Sequence, residues 1–298
     1  MRKFIQNYGP IILVLLIEYT VLALVGVVAS WNDIISIKAA YIFDTVLLIL
    51  ELCISIVIIR KHLSLADINL RLGGFKKSFW YSALYFVPLI ILPIASAKFS
   101  ITWTLANNLV YYFPVLALTV FLEELIYRGL VLNTITKRKN FYVAVGVSMI
   151  IFGLSHLVVS YYEGGAISIS DATSRIWYGS ALGVIAYLTG NIWGTYAWHL
   201  IYDIFLIYSS LSISDGSPIS PTWTGILLAL AYGAYQITSP IIIAKIDAKI
   251  SNKQAVSLET KKYIKTIVMV VVVILIFAAM LLASGSGSIR NNLIMFNN

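Results

Sequence analysis

Charged residues, cysteine and histidine are all scarce in this chain of 298 residues. Only 11% of the residues are charged, whereas about 25% is usual in a soluble domain, and 60% are apolar against the usual 45–50% or so. This composition excludes a soluble globular protein and a disordered chain. The single cysteine, Cys53, cannot form an intramolecular disulfide, which excludes a disulfide-stabilised secreted scaffold.

Long apolar runs are abundant, and they are continuous rather than alternating. Strands of a membrane β-barrel alternate apolar and polar residues, so the continuous runs predict helices. A helix that crosses a membrane needs about 20 such residues. The sequence therefore predicts an all-α, polytopic transmembrane helical bundle with about eight or nine spans, at residues 10–30, 41–59, 79–96, 108–131, 141–160, 174–190, 192–210, 224–244 and 265–283.

Lysine and arginine residues outside these runs lie almost entirely on one side of the predicted bundle. Sixteen are on the side of the N-terminus, and three (Lys38, Lys98 and Arg290) are on the other. Because basic loops stay in the cytoplasm, we expect a cytoplasmic N-terminus in a multi-pass protein of a prokaryotic cell membrane. The net charge of +8 then reflects topology, so we expect membrane lipids and no nucleic acid as partners.

Several ionisable side chains fall inside the predicted spans, where each costs at least about 2.5–3.5 kcal/mol on insertion scales. One set lies on the fourth, fifth and seventh spans: Glu123, Glu124, Arg128, His156, His199 and Asp203. Desolvating so many groups for packing alone is expensive, so this set predicts a functional site. The others are Glu18, expected to form a helix-to-helix hydrogen bond, and Asp44 and Glu51, expected to pair with Arg175 or to line a water cavity.

Helical spacing sorts the first set. Glu124 and Arg128 are four residues apart and can pair on one helix face, as can His199 and Asp203. Glu123 is rotated by about 100° from its neighbour and is expected to point elsewhere. Counted from the intervening turn, Glu123 and His156 reach equal depth, and His199 reaches a similar one. The sequence predicts one chamber that opens toward the cytoplasm.

A carboxylate beside an imidazole can remove a proton from water. Glu123 with His156 is the best such pair because the two residues share a depth on adjacent spans. His199 can then stabilise the oxyanion that forms when water attacks a carbonyl, and Arg128 can hold Glu124 ionised. The residues alone favour hydrolysis of a carbonyl compound within the membrane, with no cofactor and no metal.

Three short motifs occur in order on separate spans. They are E-E-x-x-x-R at Glu123–Arg128, F-x-x-x-H at Phe152–His156, and H-x-x-x-D at His199–Asp203. Over about residues 107–210 the chain resembles the CAAX-protease and bacteriocin-processing family of glutamate-type intramembrane endopeptidases. The resemblance implies that Glu123 and His156 activate water, that His199 and Asp203 face the oxyanion, and that Glu124 and Arg128 orient the site. It divides the chain into N-terminal transmembrane helices (1–106), a catalytic core (107–210) and C-terminal transmembrane helices with a short tail (211–298).

Asp203 departs from the family pattern, in which the best-understood members have Asn. An ionised Asp203 would repel the oxyanion, so it is protonated by burial, or it orients His199, or catalysis is weak. The family also contains non-catalytic regulators, and a scaffold, immunity or regulatory role is the alternative to an endopeptidase. A metallopeptidase lacks support from any H-E-x-x-H spacing, and a proton-coupled transporter lacks internal repeats. Prenylated CAAX peptides, bacteriocin leaders and other membrane-associated peptides all remain open as substrates, and the sequence does not indicate an oligomeric state.

Overall fold

The computed structural model describes residues 2–29, 35–96, 100–101, 109–164, 169–210 and 223–251. The described residues are almost entirely helical. In chain order the α-helices are α1 (Arg2–Ala29), α2 (Ile37–His62), α3 (Phe75–Ser96), α4 (Leu109–Glu123), α5 (Leu132–Thr136), α6 (Phe141–Gly164), α7 (Ile169–Thr189), α8 (Trp193–Tyr208) and α9 (Trp223–Ile250). A π-helix, Glu124–Val131, joins α4 to α5, and a 3₁₀ turn, Ala66–Ile68, lies between α2 and α3.

The all-helical prediction is confirmed for this part of the chain. Each of the first eight apolar segments coincides with a helix, and the ninth, 265–283, lies outside the described residues. The one extended element is an antiparallel pair of two-residue strands, Ser100–Ile101 with Ser209–Ser210.

Two of the described helices are long and apolar enough to cross a membrane, over Asn7–Val28 and Lys38–His62. Large apolar side chains such as Leu16 and Val57 point outward from these helices, as expected where lipid is the solvent. Phe141–His156 is a shorter apolar helix of the same kind. The total of eight or nine crossings stays a prediction.

The segments that the charge count assigns to the cytoplasm meet at one end of the bundle. Their contacts include a hydrogen bond from Arg138 to Asn7 (2.7 Å), the Lys137–Asp67 ion pair (2.5 Å), and the Lys77–Asp247 ion pair. The start of α2 meets the start of α4, where the Lys38 ammonium lies 5.3 Å from the centre of the Tyr111 ring. This arrangement supports the predicted alternation of the helices, and the orientation of the N-terminus stays a prediction.

Close packing of α3 against α8 sets the position of the helix that carries His199. Gly194, in the first turn of α8, lies so close to α3 that an added Cβ would be 2.3 Å from the backbone nitrogen of Phe79. The Ser78 hydroxyl donates to the carbonyl of Asn191 just before α8 (3.1 Å). The start of α8 is therefore fixed against α3, five residues before His199.

Candidate active site

The second glutamate of the first motif begins a π-helix rather than a continuing α-helix. All residues of Glu124–Val131 are buried. Asn133 donates its side-chain amide to the carbonyls of Arg128 (3.1 Å) and Gly129 (2.8 Å), which supplies hydrogen bonds that an irregular helix needs. Gly129 permits the close approach of the 3₁₀ turn, since a Cβ there would lie 2.9 Å from the carbonyl oxygen of Ile68.

Glu124, Arg128 and His199 form a fully buried cluster. An Oε1 atom of Glu124 lies 3.1 Å from Nη1 of Arg128 and 2.9 Å from Nδ1 of His199, and all three side chains have zero exposure. The predicted Glu124–Arg128 pairing is therefore present. Because the carboxylate can only accept, Nδ1 of His199 carries a proton and donates it to Glu124.

Glu123 reaches the other edge of the same ring. Its Oε2 atom is 3.5 Å from Nε2 of His199, and its Oε1 atom is 4.0 Å from Nε2 of His156. The prediction that Glu123 points away from Glu124 is thus incomplete, because the two neighbours approach opposite nitrogens of one imidazole. Glu123 and His156 are close but beyond direct hydrogen-bond distance.

The proton on His156 is located by its own helix. Nδ1 lies 3.0 Å from the carbonyl oxygen of Phe152, one turn earlier. A carbonyl oxygen only accepts, so Nδ1 is the protonated nitrogen of the neutral ring and Nε2 presents a lone pair toward Glu123. The geometry leaves two acceptor atoms facing each other, which is the arrangement needed to bind both hydrogens of one water.

Asp203 faces the same nitrogen of His199 as Glu123 does. Its Oδ2 atom is 3.4 Å from Nε2, and within the described residues neither Nε2 nor Oδ1 of Asp203 makes a hydrogen bond. Of the three possibilities for Asp203, this geometry favours the one in which it orients His199 from one turn away.

Exposure divides the six residues into two groups. The side chains of Arg128, Glu124 and His199 are fully buried, whereas those of His156, Glu123 and Asp203 are 10%, 14% and 16% exposed. Glu123 and His156, which the sequence associates with water, are in the exposed group, whereas His199, expected to face the oxyanion, is in the buried group. The structure brings all six predicted residues together.

Phe152, the first residue of the second motif, packs against ionisable groups of the site. The guanidinium carbon of Arg128 lies 4.2 Å from the centre of its ring, a cation–π contact, and the ring also meets that of His156 at 4.8 Å. Gly179 on α7 makes room for this stack, since a Cβ there would be 2.8 Å from the Phe152 ring.

The sequence prediction missed two residues of the site. Tyr178 packs edge-on against His199 with ring centres 4.9 Å apart, and Thr195 is in hydrogen-bonding reach of Glu124. Thr195 could have been found, because it lies one turn before His199 on the same helix face. Tyr178 follows no motif and is recognisable only once α7 is docked.

The remaining ionisable residues lie around this site. Glu18 forms the expected helix-to-helix hydrogen bond, from the Tyr127 hydroxyl at 3.5 Å. Glu51 contacts Glu18. Arg175 lies near Glu123 and His156, where it adds positive charge to the chamber.

The geometry also bears on metal binding. Among the described residues, no three His, Cys, Asp or Glu side chains are grouped as metal ligands would be. Independence from metals itself stays a prediction.

The segment that holds this site matches a known protein family. A family model described as type II CAAX prenyl endopeptidase Rce1-like matches residues 104–205. The chain carries an Rce1-like domain. All six predicted residues lie within it. The family consists of membrane-embedded CAAX proteases, so the match supports a protease. No curated protein and no solved structure matches the chain.

The Rce1-like domain covers about the segment that the three motifs define, and it begins close to the predicted start of the core. α1, α2 and α3 lie before it, and α9 lies after it. The division of the chain at residues 106 and 210 stays a prediction.

Proposed function

We propose that this protein is a glutamate-type intramembrane endopeptidase in which Glu123 and His156 activate water. The observation that carries the proposal is the 4.0 Å separation between Oε1 of Glu123 and Nε2 of His156, two acceptors that face each other. A water to one side of the pair, about 2.8 Å from each atom, would bridge them by donating one hydrogen to each. Proton transfer from that water makes it a nucleophile toward a peptide carbonyl.

His199 is the proposed oxyanion donor. Its Nδ1 is held by Glu124, and its buried Nε2 has no hydrogen bond within the described residues. Carboxyl groups approach both nitrogens of the ring and favour its doubly protonated, cationic form, in which Nε2 also carries a hydrogen. That Nε2–H, directed at the developing charge, stabilises the tetrahedral intermediate, because a donor in a water-poor site is already oriented and needs no rearrangement. The proton taken from water then passes to the leaving amine.

Arg128 and Glu124 orient this donor. The ion pair fixes the carboxylate, the carboxylate fixes the ring, and Phe152 covers the guanidinium. The Oδ2 atom of Asp203 lies 3.4 Å from Nε2 of His199, where its negative charge opposes the developing oxyanion, so we expect slower catalysis than with an amide at this position.

The proposed substrate is a membrane-associated peptide, of the CAAX type or a bacteriocin-type leader, cleaved near the cytoplasmic face. The membership of the Rce1-like domain in a CAAX-protease family supports a peptide bond as the target. The meeting of the basic loops at one end of the bundle supports access from the cytoplasm.

The test uses purified full-length protein in lipid nanodiscs with prenylated CAAX peptides, their unprenylated forms and leader-bearing peptides. Cleavage should fall at least about 100-fold in Glu123→Gln, because removing a positioned general base typically costs 10²–10⁴-fold. Asp44→Asn is the matched control, a second buried carboxyl group outside the site. Washing with a chelator followed by metal analysis tests metal independence in the same preparation.

Peptides released from cells should identify the substrate class, by comparing wild type with Glu123→Gln. Cleavage that persists in Glu123→Gln would sink the mechanism. A cellular phenotype that survives Glu123→Gln but not unfolding of the protein would instead favour a scaffold, immunity or regulatory role.

A further inference from the structure

The α2–α3 loop (residues 63–74) holds the start of α8, although the loop lies outside the Rce1-like domain. Asn191, two residues before the first residue of α8, donates its side-chain amide to the carbonyls of Arg71 (2.7 Å) and Gly73 (3.2 Å) in this loop. The Oδ1 atom of Asn191 accepts from the backbone N–H of Trp193 at 3.0 Å and so caps the helix. The first turn of the helix that carries the third motif is therefore fixed to the loop.

Asn69 connects the same loop to the π-helix of the first motif. Its Nδ2 atom donates to Oδ1 of Asn133 at 3.2 Å, and Asn133 in turn donates to the carbonyls of Arg128 and Gly129. The backbone carbonyl of Asn69 accepts from the N–H of Ile192, next to the start of α8, also at 3.2 Å. Because Asn69 is only 6% exposed, little water competes for these bonds. One buried residue is thus hydrogen-bonded to both segments.

The backbone of Asn69 separates the two things that this residue does. It ends the 3₁₀ turn with a φ of 60°, in the left-handed region, which asparagine and glycine adopt more readily than other residues. Glycine would meet this backbone requirement without strain. What asparagine adds is the amide that binds Asn133, so the side-chain hydrogen bond is a contribution distinct from the turn.

We propose that Asn69 is a positioning residue, which sets the distance between Glu124 on the π-helix and His199 on α8. These two side chains meet at 2.9 Å, from Nδ1 of His199 to Oε1 of Glu124. A hydrogen bond is lost by about 3.6 Å, so a displacement of about 0.7 Å between the two helices breaks this one. The inference rests on the proposed function, in which Glu124 holds His199 as the oxyanion donor. It gives a role in the reaction to a loop that the family domain does not include.

Other contacts hold the same two segments and must stay unchanged in a test. Gly129 packs against the carbonyl of Ile68, and Gly194 packs against α3. Asn69→Gly leaves both contacts, and it keeps the left-handed turn and the carbonyl that accepts from Ile192. It removes the side-chain amide alone, so we expect a folded protein.

The test combines ¹H–¹⁵N NMR of the His199 ring with peptide cleavage, on histidine-labelled full-length protein in nanodiscs. The chain has three histidines, so His62→Gln and His156→Gln assign the signals. In wild type the Nδ1 proton of His199 should resonate far downfield, because it lies in a short hydrogen bond to a carboxylate. In Asn69→Gly this signal should move upfield. The kcat should fall about 10- to 100-fold and KM should change less than about twofold, because the lost positioning acts in the transition state.

Two further variants separate positioning from stability. Tyr81→Phe is the matched control, since it removes a buried hydrogen bond of similar length between α3 and α9, from the Tyr81 hydroxyl to Asp247 at 3.0 Å. It should lower the stability and leave the His199 signal and kcat unchanged. Asn133→Ala should shift the signal, and adding Asn69→Gly to it should change kcat less than about twofold, because the partner of the amide is already absent. Loosening of the loop by the glycine would instead add to the effect of Asn133→Ala.

A folded Asn69→Gly protein with the His199 signal and kcat of wild type would overturn the inference, even if it unfolds more readily. An equal change in Tyr81→Phe, full additivity of Asn69→Gly and Asn133→Ala, or failure of Asn69→Gly to fold would do so as well. The NMR signal needs no cleavage, so the two proposals fail separately. A wild type that cleaves no peptide, while the signal moves in Asn69→Gly, contradicts the proposed function, whereas cleavage with an unmoved signal contradicts the role of Asn69.

Discussion

Glu124→Gln is the substitution with the largest expected effect on the stability of the site. It leaves the guanidinium of Arg128 buried without its counter-charge, and none of the three guanidinium nitrogens makes a hydrogen bond within the described residues. Removing one partner of a buried ion pair costs about 3–5 kcal/mol. We expect the free energy of unfolding to fall by this amount.

Removing both charges should restore most of this loss. Apolar replacement of a buried ion pair is often neutral, and a methionine side chain can occupy the place of Arg128 over Phe152. We therefore expect Glu124→Gln/Arg128→Met to unfold within about 1.5 kcal/mol of wild type. Cleavage should stay low in both variants, at least about 100-fold below wild type, because an amide does not orient and stabilise the doubly protonated ring of His199 as a carboxylate does.

Stability is measured by reversible unfolding in mixed micelles, followed by tryptophan fluorescence, and activity by peptide cleavage. Asp44→Asn is again the matched control, with an expected change of about 1 kcal/mol, since no arginine ion pair is broken. A stable Glu124→Gln protein, or a double variant no more stable than the single one, would refute the reasoning that the buried charge of Arg128 depends on Glu124.

Three other changes follow from the structure. Asp203→Asn should raise kcat about tenfold or more, because it removes a charge that opposes the oxyanion, and lower cleavage would show that His199 needs the carboxylate. Gly194→Ala should destabilise the protein by about 1–3 kcal/mol through overpacking against α3, measured by unfolding against Gly233→Ala, whose added Cβ meets nothing within 4 Å. Lys137 lowers the pKa of Asp67, so Asp67→Asn should cost under about 1 kcal/mol at neutral pH. This difference from wild type should begin to shrink below about pH 4 and disappear only as the pH falls through the lower pKa of folded Asp67.

The positions of the helices could be predicted from the sequence because the α-helix is the stable conformation of a long apolar run in lipid. The grouping of the site could be read as well, since an ionisable side chain inside an apolar run needs a partner. Glu124 and Arg128 were paired from spacing alone, and His199 was placed in one chamber with Glu123 and His156 from its depth.

What the sequence could not reveal depends on contacts between distant segments. The π-helix at Glu124 needs Gly129 against the carbonyl of Ile68 and the amide of Asn133, and no local pattern encodes that combination. The convergence of Glu123 and Glu124 on one ring follows from this irregular turn. The contact of Glu51 with Glu18 likewise depends on how α1 and α2 are docked, which spacing within one helix does not determine.

The site consists of a fully buried group and a partly exposed group, and this division has an evolutionary consequence. The buried group is Glu124, Arg128 and His199, and the partly exposed group is Glu123, His156 and Asp203. Glu124 contacts both Arg128 and His199 inside the bundle, and neither contact involves Glu123 or His156. A lineage can therefore lose Glu123 and His156, the two residues that activate water, and still inherit a folded bundle, free to be selected for binding. A protease then becomes a non-catalytic binding protein through substitutions at the partly exposed positions alone. The fully buried group remains and shows that an ancestor had the active site.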